Sequence, residues 1–372
     1  MHLNKVSSKI IFIENEDLSR NSSGGVMSYI LNLSSYFVKE GFRTVLVGSG
    51  DTTDEAFLNN KFSEFFSISH KSSLNNLNFF LKLFKTDILK RINKGDVIHV
   101  HRPEMVIPLA IRKRNKIICT LHGGQDMAVF KKKGKMIGFF YSILQFISFL
   151  LVDQLIVVDK KNLKRYLKKY SWIKKKINLI PISVDINRFY PRNKLESRKK
   201  FDLPLDKKII LYIGRLEYEK NVGFIIESFK EIKNHVSQLV IVGSGSFYNE
   251  LNEASVSHVE QILFFGELDN SSIPEIINSA DVLVLTSFFE GSPTVVKESL
   301  CCNVPVISTD VGDVKEVLES VNGGEIIDLI TDNFIIAIDK IFSRDHMDIK
   351  DAPSLFNHNL MGEKTLNIYN KS

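Results

Sequence analysis

The chain has 372 residues, 44% of them hydrophobic and 25% charged, which is enough apolar content for two globular domains and excludes a mainly disordered chain. Its three cysteines match neither a zinc-ligand spacing nor an even-numbered disulfide framework, so we expect a reducing, cytoplasmic compartment. Residues 1–190 carry 31 basic and 15 acidic side chains, whereas the remainder carries 18 and 28. The basic first half predicts a surface that attracts anionic ligands, membranes or nucleic acid, although solvated lysine-bearing helix faces would give the same count.

Short, β-branched apolar runs alternate with helix-length amphipathic segments from the start of the chain. The run within the first fifteen residues is shorter than the core of a signal peptide, so we expect a buried strand there and no secretion signal. Such alternation is typical of a parallel sheet covered by helices on both faces. The strands predicted in the first half cover residues 10–14, 44–48, 97–101, 116–122, 154–159 and 177–182.

Two loops of the first half combine glycines with possible ligand contacts. Gly24 and Gly25 precede a predicted helix, where the backbone can approach a ligand without an intervening side chain. His122 ends a predicted strand and is followed by two glycines, so its imidazole should face the ligand-binding edge of the sheet. A lone histidine is more often structural than catalytic, but we favour His122 over His99 and His101 as a functional residue.

An uncharged stretch of sixteen residues, 137–152, follows a basic cluster at 131–135. It is shorter than the roughly 20 residues that span a bilayer. Two interpretations stay open: a buried helix of the first domain, which we favour, or an apolar surface that lies on a membrane. The basic clusters at 112–116 and 160–176 would suit the second.

The same alternation restarts after residue 205 and predicts a second sheet of the same kind. Residues 183–207, with two prolines and many charges, are the best candidate for the crossover between domains. Ligands of open α/β sheets bind outside the carboxyl ends of the strands, so we expect the site in a cleft between the domains. The strands predicted in the second half cover residues 208–214, 238–243, 261–266, 282–287 and 305–309.

Two cations follow the first strand of the second half. Gly214 and Arg215 stand at its end, and Lys220 lies just before the next helix. This pattern suits a diphosphate, because arginine grips phosphate oxygens with a planar fork and lysine adds a mobile charge. The alternative is a pair of surface ion pairs with Glu217 and Glu219, which the glycine at the turn makes less favoured.

The segment 286–318 joins polar strand-end residues to a helix. Ser292 is a plausible N-cap, Pro293 suits the first helical position, and the free amides around Thr294 and Val295 predict a phosphate site.

Two glutamates flank this helix start. Glu290 precedes the helix and Glu298 lies inside it, so the two carboxylates could bracket a bound nucleotide sugar by accepting hydrogen bonds from its hydroxyls. Their spacing alone favours two ordinary surface charges, and only the neighbouring clusters change that interpretation. The sequence also lacks a GxxxxGK[ST] motif, which argues against a P-loop NTPase.

The ordered set of segments resembles the GT-B glycosyltransferases, and among them the retaining family 4. The resemblance covers nearly the whole chain and implies an α/β fold of two Rossmann-like domains that face each other across a cleft. We place an acceptor domain at 1–187, a crossover linker at 188–206, a donor-binding domain at 207–352 and a returning terminal helix at 353–372. The segments that carry the resemblance are the Gly24-Gly25 loop, VIHVHRP, CTLHGGQD, SVDINRFYP, IGRLEYEKN, IVGSGSFYNEL, FFGEL and the two glutamates followed by CCNVPVIST.

The resemblance also implies roles for individual residues. Glu298 would contact the ribose, Glu290 the donor sugar, the basic pair the diphosphate, and His122 the transferred sugar. The loop at 264–268 would lie near the nucleobase. No Asp-x-Asp motif occurs where the family would need one, so we expect neither a metal nor a cofactor besides the nucleotide sugar. The expected catalytic residues are His122, Glu290, Arg215 and Lys220, and the expected donor-binding residues are Gly24, Gly25, Gly214, Arg215, Lys220, Phe265, Gly266, Leu268, Glu290, Gly291, Ser292, Thr294, Val295 and Glu298.

Some residues depart from the family pattern. The usual Gly-Phe-Gly-Leu after the first glutamate is replaced by residues 291–294, in which Pro293 has no N–H to offer a phosphate. The usual Asn-Gly before the Val-Asp of the crossover is Ile182-Ser183. These departures indicate a divergent subgroup but leave the charged residues in place.

The resulting prediction is a retaining hexosyltransferase that takes its sugar from a nucleoside diphosphate, with uridine favoured. Its acceptor would be a glycan or lipid-linked glycan of bacterial-type surface polysaccharide biosynthesis. We expect a cytoplasmic location, with the anionic inner face of the membrane as a potential peripheral site, and no nucleic acid partner. Two alternatives remain: a catalytically silent GT-B partner or anionic-membrane module, which should lose the basic pair or the glutamates, and a less favoured sugar-nucleotide epimerase.

Overall fold

Two compact units make up the chain, residues 1–183 with 358–372 and residues 184–357. The computed structural model describes Leu3, Ile349 and residues 8–17, 25–50, 61–69, 74–112, 115–123, 125–232, 237–343 and 351–371. Each unit is built on one parallel sheet flanked by helices. The predicted α/β fold with two similar sheets in tandem is therefore confirmed.

Seven parallel strands form the sheet of the first unit. They are β1 (Lys9–Asp17), β2 (Arg43–Ser49), β3 (Glu64–Ser67), β4 (Val97–Val100), β5 (Lys116–Leu121), β6 (Gln154–Val157) and β7 (Ile177–Leu179). Their order is β3-β2-β1-β4-β5-β6-β7. Ile10 to Ile13 of the central strand are all buried, as expected where helices cover both faces of a parallel sheet.

Six parallel strands form the sheet of the second unit. They are β8 (Lys208–Ile213), β9 (Ser237–Val242), β10 (Ile262–Gly266), β11 (Val282–Leu285), β12 (Val306–Ser308) and β13 (Gly324–Ile326). Their order is β10-β9-β8-β11-β12-β13. The chain therefore reverses its direction of travel across the sheet between β8 and β11, as it does between β1 and β4 in the first unit.

The helices cover these two sheets. They are α1 (Gly25–Lys39), α2 (Asn76–Leu83), α3 (Val106–Arg112), α4 (Gln125–Leu151), α5 (Lys160–Lys169), α6 (Lys194–Lys200), α7 (Val222–Lys230), α8 (Tyr248–Ser255), α9 (Ile273–Ser279), α10 (Thr294–Cys301), α11 (Val314–Val321), α12 (Thr331–Phe342), α13 (Ala352–Leu355) and α14 (His358–Asn370). The last of them packs against α1 in the first unit, where the rings of Phe37 and Tyr369 stack with centroids 5.2 Å apart.

The unit boundaries differ from the sequence-based ones in two places. The first unit ends at Ser183 rather than 187, and the second extends to Asn357 rather than 352. Residues 188–206 do not form a separate linker, because they contain α6 and pack within the second unit. The buried guanidinium of Arg198 fixes this segment by donating to the carbonyl of Ser279 and to the carboxylate of Asp281.

Helix α4 also departs from expectation. Gly134 interrupts it with a non-helical φ of 82° and ψ of 170°. The span Gly134–Leu151 is long and apolar enough to cross a membrane by length and composition, yet only 22% of it is buried. The favoured interpretation of 137–152 as a buried helix is therefore wrong for most of its large side chains, and the apolar-surface interpretation fits them.

Candidate active site

The reversal between β8 and β11 brings two strand ends side by side. Leu211 of β8 pairs with Leu283 of β11, so the segments that follow Ile213 and Leu285 leave the same edge of the sheet. In open α/β sheets this reversal point is where ligands bind. Arg215 follows the first of these strands, and Ser287 to Glu290 follow the second.

Lys220 and Glu290 meet at this edge. The ammonium of Lys220 forms an ion pair and hydrogen bond with Oε1 of Glu290, and both side chains are mostly buried, with 17% and 13% exposed. The hydroxyl of Ser287 donates to the same oxygen over 2.8 Å. Two donors thus hold the Glu290 carboxylate in place. Lys220 and Glu290, which the sequence predicts for the same site, are in direct contact.

Glycines let the neighbouring loops approach each other closely. A Cβ placed on Gly243, whose φ is +135°, would lie 1.9 Å from the carbonyl oxygen of Gly214. A Cβ on Gly312, whose φ is +54°, would lie 2.0 Å from the carbonyl oxygen of Gly291. Backbone therefore packs on backbone on either side of the Lys220–Glu290 pair, which fixes the loops that carry these residues.

Arg215 is the exposed cation of the site. Its side chain is 67% exposed, and its nearest carboxylate oxygen, on Glu219, lies 3.5 Å away. Glu217 is engaged elsewhere, because it accepts hydrogen bonds from the hydroxyl and backbone amide of Ser246. The surface-pair alternative therefore holds only as a long contact to Glu219, and the guanidinium can reach other anions.

Helix α10 begins one residue later than predicted. Its first residue is Thr294 and its N-cap is Pro293, with φ −67° and ψ 116°. The hydroxyl of Ser292 instead donates to Asp313 over 2.7 Å, so the prediction of Ser292 as N-cap is wrong. Since Pro293 is the N-cap, its missing N–H does not remove an amide from the first turn of the helix.

A buried lysine that the sequence did not single out secures this loop. Lys297 is 1% exposed and its ammonium lies 2.6 Å from the hydroxyl of Ser292 and 2.8 Å from Asp313. A buried charge of this kind is costly unless it is paired. The Lys297–Asp313 pair thus ties α10 to the loop after β12 and holds the segment that starts at Glu290.

Glu298 lies one turn inside α10 and is partly buried. Burial raises its pKa to about 7, opposed by the positive charge of Arg188 and by a hydrogen bond from Thr294. Arg188 itself donates to the backbone carbonyl and side chain of Asn270. A hydrogen-bond donor that reaches the carboxyl group therefore favours loss of its proton near neutral pH.

The remaining predicted donor residues lie around these groups in the second unit. Val295 is partly buried against its hydrophobic core, together with Phe265 and Leu268. Gly266 has a φ of +64° and its carbonyl accepts the amide of Gly243. Phe265 stacks edge-on against Phe201, with ring centroids 5.9 Å apart.

Gly24, Gly25 and His122 are the predicted site residues of the first unit. Gly25 begins α1, whereas Gly24 lies outside the described residues. Nε2 of His122 lies 3.0 Å from Nδ1 of His101, and His101 stacks on His99 at 4.6 Å. The pKa of His122 falls to about 3, because of burial and the nearby positive charge of Arg102.

His99 links this group to the terminal helix. Its Nδ1 lies 2.6 Å from the hydroxyl of Tyr369 and its Nε2 lies 2.7 Å from that of Thr120. Burial lowers its pKa to about 3, so the ring is neutral and one of its nitrogens accepts a hydrogen bond. Among the described residues Nδ1 of His122 has no hydrogen-bond partner.

A charged pair borders the histidines. Arg102 donates through Nε to the buried Glu14 over 2.7 Å, and Glu104 accepts from the hydroxyl of Tyr141 over 3.1 Å. Burial raises the pKa of Glu104. The sequence offered a signal for these residues, since Glu14 ends the predicted strand 10–14 and Arg102 directly follows the predicted strand 97–101.

The fold and the strand-end residues define a class of protein. The structure of sucrose-phosphate synthase from Thermosynechococcus elongatus superposes with a TM-score of 0.82 at 18% identity and covers 97% of this chain and 98% of that one. Anabaena HepE, solved with UDP and glucose, gives 0.80 at 15% identity with the same coverage. The fold is that of the GT-B glycosyltransferases.

Two family models identify the family. Residues 23–188 match Glycosyltransferase Family 4, and residues 193–347 match Glycosyl transferases group 1. The chain therefore belongs to the family 4 glycosyltransferases of GT-B fold.

Curated relatives act in polysaccharide and glycan biosynthesis. The putative teichuronic acid biosynthesis glycosyltransferase TuaC of Bacillus subtilis is 31% identical over 228 residues, which cover 60% of this chain and 55% of TuaC. An Escherichia coli enzyme named UDP-Gal:alpha-D-GlcNAc-diphosphoundecaprenol alpha-1,3-galactosyltransferase is 26% identical over 281 residues, covering 73% and 71%. The matched region thus spans little more than half of TuaC.

Proposed function

We propose that this enzyme transfers a sugar from a UDP-sugar, with retention of anomeric configuration, to a glycan or lipid-linked glycan acceptor. The observation that carries the proposal is the Lys220–Glu290 pair at the reversal between β8 and β11, beside the start of α10. Surface polysaccharide assembly is favoured by the names of the relatives, one of which uses UDP-galactose and a diphosphoundecaprenol acceptor.

In this proposal the second unit holds the donor. Arg215, Lys220 and the free amides of the first turn of α10 bind the diphosphate, since cations and a helix N-terminus both favour phosphate oxygens. Glu298 accepts hydrogen bonds from the ribose, and Glu290 accepts them from the sugar. The loop that contains Phe265, Gly266 and Leu268 borders the nucleobase.

The chemistry follows from where charge develops. The bond between the sugar's anomeric carbon and the diphosphate breaks, and the acceptor oxygen bonds to that carbon on the same face. The proton of the acceptor hydroxyl passes to the departing diphosphate, whose growing negative charge Arg215 and Lys220 stabilise. Neutral His122 can donate a hydrogen bond to a hydroxyl group through Nδ1. None of these steps uses a metal, and we place the enzyme in the cytoplasm, peripheral to the inner membrane face.

A thermal-shift screen across nucleoside diphosphates and their sugars tests the donor assignment, because a ligand of the folded state raises the apparent Tm. We expect UDP to raise the Tm of the wild type and of Glu319→Gln, an exposed carboxylate on α11, but to have a much smaller effect on Glu298→Ala. An equal UDP response in Glu298→Ala would remove Glu298 from the site. A rise in Tm with GDP alone would show that the donor nucleotide contains guanosine rather than uridine.

The alternative of a catalytically silent partner is tested by turnover. With a UDP-sugar that raises the Tm, release of UDP in the presence of membranes should require Arg215. Binding without turnover by the wild type, across a panel of lipid-linked acceptors, would favour the silent alternative.

A further inference from the structure

The helix segment after Gly134 carries its apolar side chains on the outside. Phe139 and Phe140 are 61% and 60% exposed, and Met136 is 73% exposed. The exposed positions recur every three or four residues, so they form one stripe along the helix. The stripe consists of Met136, Ile137, Phe139, Phe140, Ile143, Phe146, Ile147, Leu150 and Leu151.

The opposite stripe, which packs on the protein, is the more polar one. Gln145 and Ser148 are fully buried there, beside Gly138 and Phe149. A helix of a protein surrounded by water has the reverse arrangement, with apolar side chains inward and polar ones outward. The outer stripe of α4 therefore fits an apolar surrounding rather than water.

Aromatic side chains connect the apolar stripe to neighbouring lysines. The rings of Phe146 and Trp172 lie 5.9 Å apart, and the ammonium of Lys176 lies 5.5 Å from the Trp172 ring. That ammonium also donates to the carbonyl of Val152, just beyond the end of α4. The exposed lysines of α5 and of the 3₁₀ turn Ser171–Lys175 are Lys160, Lys161, Lys164, Lys168, Lys169, Lys174 and Lys175.

We propose that this stripe and these lysines form a docking surface for an anionic lipid bilayer, with α4 lying in the interface. The apolar side chains would enter the acyl boundary, Trp172 would lie at headgroup depth, and the lysines would contact anionic headgroups. Charge favours a bilayer over a second copy of the chain, because a symmetric dimer would bring two lysine-rich borders together. The surface specifies the membrane location proposed above and does not involve the donor residues.

A hydrogen bond joins the helix of the docking surface to the sheet edge that holds the histidines. Tyr141, on the same helix, donates to Glu104, which lies in the turn after β4. Docking α4 would therefore place the end of β4 near the bilayer. This arrangement suits an acceptor whose lipid remains in the membrane.

Vesicle flotation tests the proposal with the full chain. Vesicles of phosphatidylcholine and phosphatidylglycerol at about 7:3 should bind the wild type at least about tenfold more strongly than phosphatidylcholine alone. Replacing Phe139 and Phe140 by Gln should lower binding to the anionic vesicles at least about tenfold. Leu77→Gln with Leu81→Gln is the matched control, since these exposed apolar side chains lie on α2.

Each other outcome contradicts the proposal. If the Phe139/Phe140 variant binds vesicles as strongly as the wild type, the apolar stripe is not the docking surface. If the wild type does not bind vesicles, a bilayer is not the occupant. Concentration-dependent dimers that the variant abolishes, without vesicle binding, would make a second copy the occupant. The UDP-induced rise in Tm, measured on the same variant, should be unchanged, so failure here is distinguishable from failure of the donor assignment.

Discussion

In the second unit the strand ends at the reversal point carry charged side chains, whereas burial keeps the histidines at the strand ends of the first unit neutral. Lys220 pairs with Glu290, and Arg215 stays two-thirds exposed. His99 and His122, by contrast, have their pKa values lowered to about 3. Charges at one edge suit a diphosphate, while neutral rings at the other suit hydroxyl groups. The same sheet architecture therefore supports two kinds of recognition.

Removal of the paired lysine should have the largest effect on the charged edge of the second unit. Lys220→Met should lower kcat/KM about 10²–10³-fold, because the departing diphosphate loses a cation and Glu290 loses its partner. Lys230→Met is the control, since Lys230 also forms an ion pair, with Glu227, on α7. Steady-state kinetics with an accepted donor measures both, and equal rates for the two variants would contradict the assignment.

Removing the exposed guanidinium should have a smaller effect. We expect Arg215→Ala to lower kcat/KM about 10–100-fold and Arg215→Lys to recover part of the loss, because lysine keeps the charge without the planar fork. The matched substitution in the first unit is Arg43→Ala, which removes an exposed arginine paired with Glu64. Wild-type turnover by Arg215→Ala would show that the guanidinium does not bind the donor.

The raised pKa of Glu298 predicts pH-dependent binding of UDP. The free protein favours the protonated carboxyl below about pH 7, whereas ribose hydroxyls donate to the ionised form. The affinity for UDP should therefore weaken about tenfold from pH 8 to pH 6. Titration calorimetry measures this change, and Glu298→Gln corrects for protonation of UDP itself. An identical pH dependence in that variant would exclude Glu298 as its cause.

The same shift has a consequence for stability. Because the pKa of Glu298 in the folded protein lies above its value in the unfolded chain, folding is favoured most below pH 4.5. The contribution is lost as the pH rises through about 7. Between pH 4.5 and about pH 7 the Tm of Glu298→Gln should therefore fall less than the Tm of the wild type.

The smallest expected effect concerns the first unit. Tyr369→Phe removes the hydroxyl beside Nδ1 of His99 and should lower the free energy of unfolding by about 1–2 kcal/mol. Turnover should change less than about twofold, because the donor residues lie in the other unit. Urea denaturation measures the first quantity. Tyr218→Phe, at a tyrosine that is 67% exposed, is the control.

Much of the fold could be predicted because buried parallel strands are short runs of β-branched residues. All eleven predicted runs contain or overlap observed strands, from β1 at Lys9–Asp17 to β12 at Val306–Ser308. The sequence did not predict β3 and β13. Each is an edge strand of its sheet, and the residues of both are only partly buried. Without full burial such strands need no continuous apolar run.

The site could be predicted in part for a similar reason. Glu290 and Lys220 follow recognisable strands, so topology alone brings them together. Lys297 and Asp313 escaped because each looks like an ordinary helix or loop charge until the folded chain buries them against Ser292. The outward stripe of α4 corresponds to the less favoured of the two sequence-based interpretations, because composition reveals how apolar a helix is but not which side faces solvent.

Amide hydrogen exchange of the whole chain with and without saturating UDP tests the donor site most directly. We expect slower exchange in two segments of the second unit, the loop from Gly214 to Lys220 and the helix Thr294–Cys301, without comparable protection of β4 or β5. Protection confined to the first unit, or no protection at saturation, would contradict a donor site built on Lys220, Glu290 and Glu298.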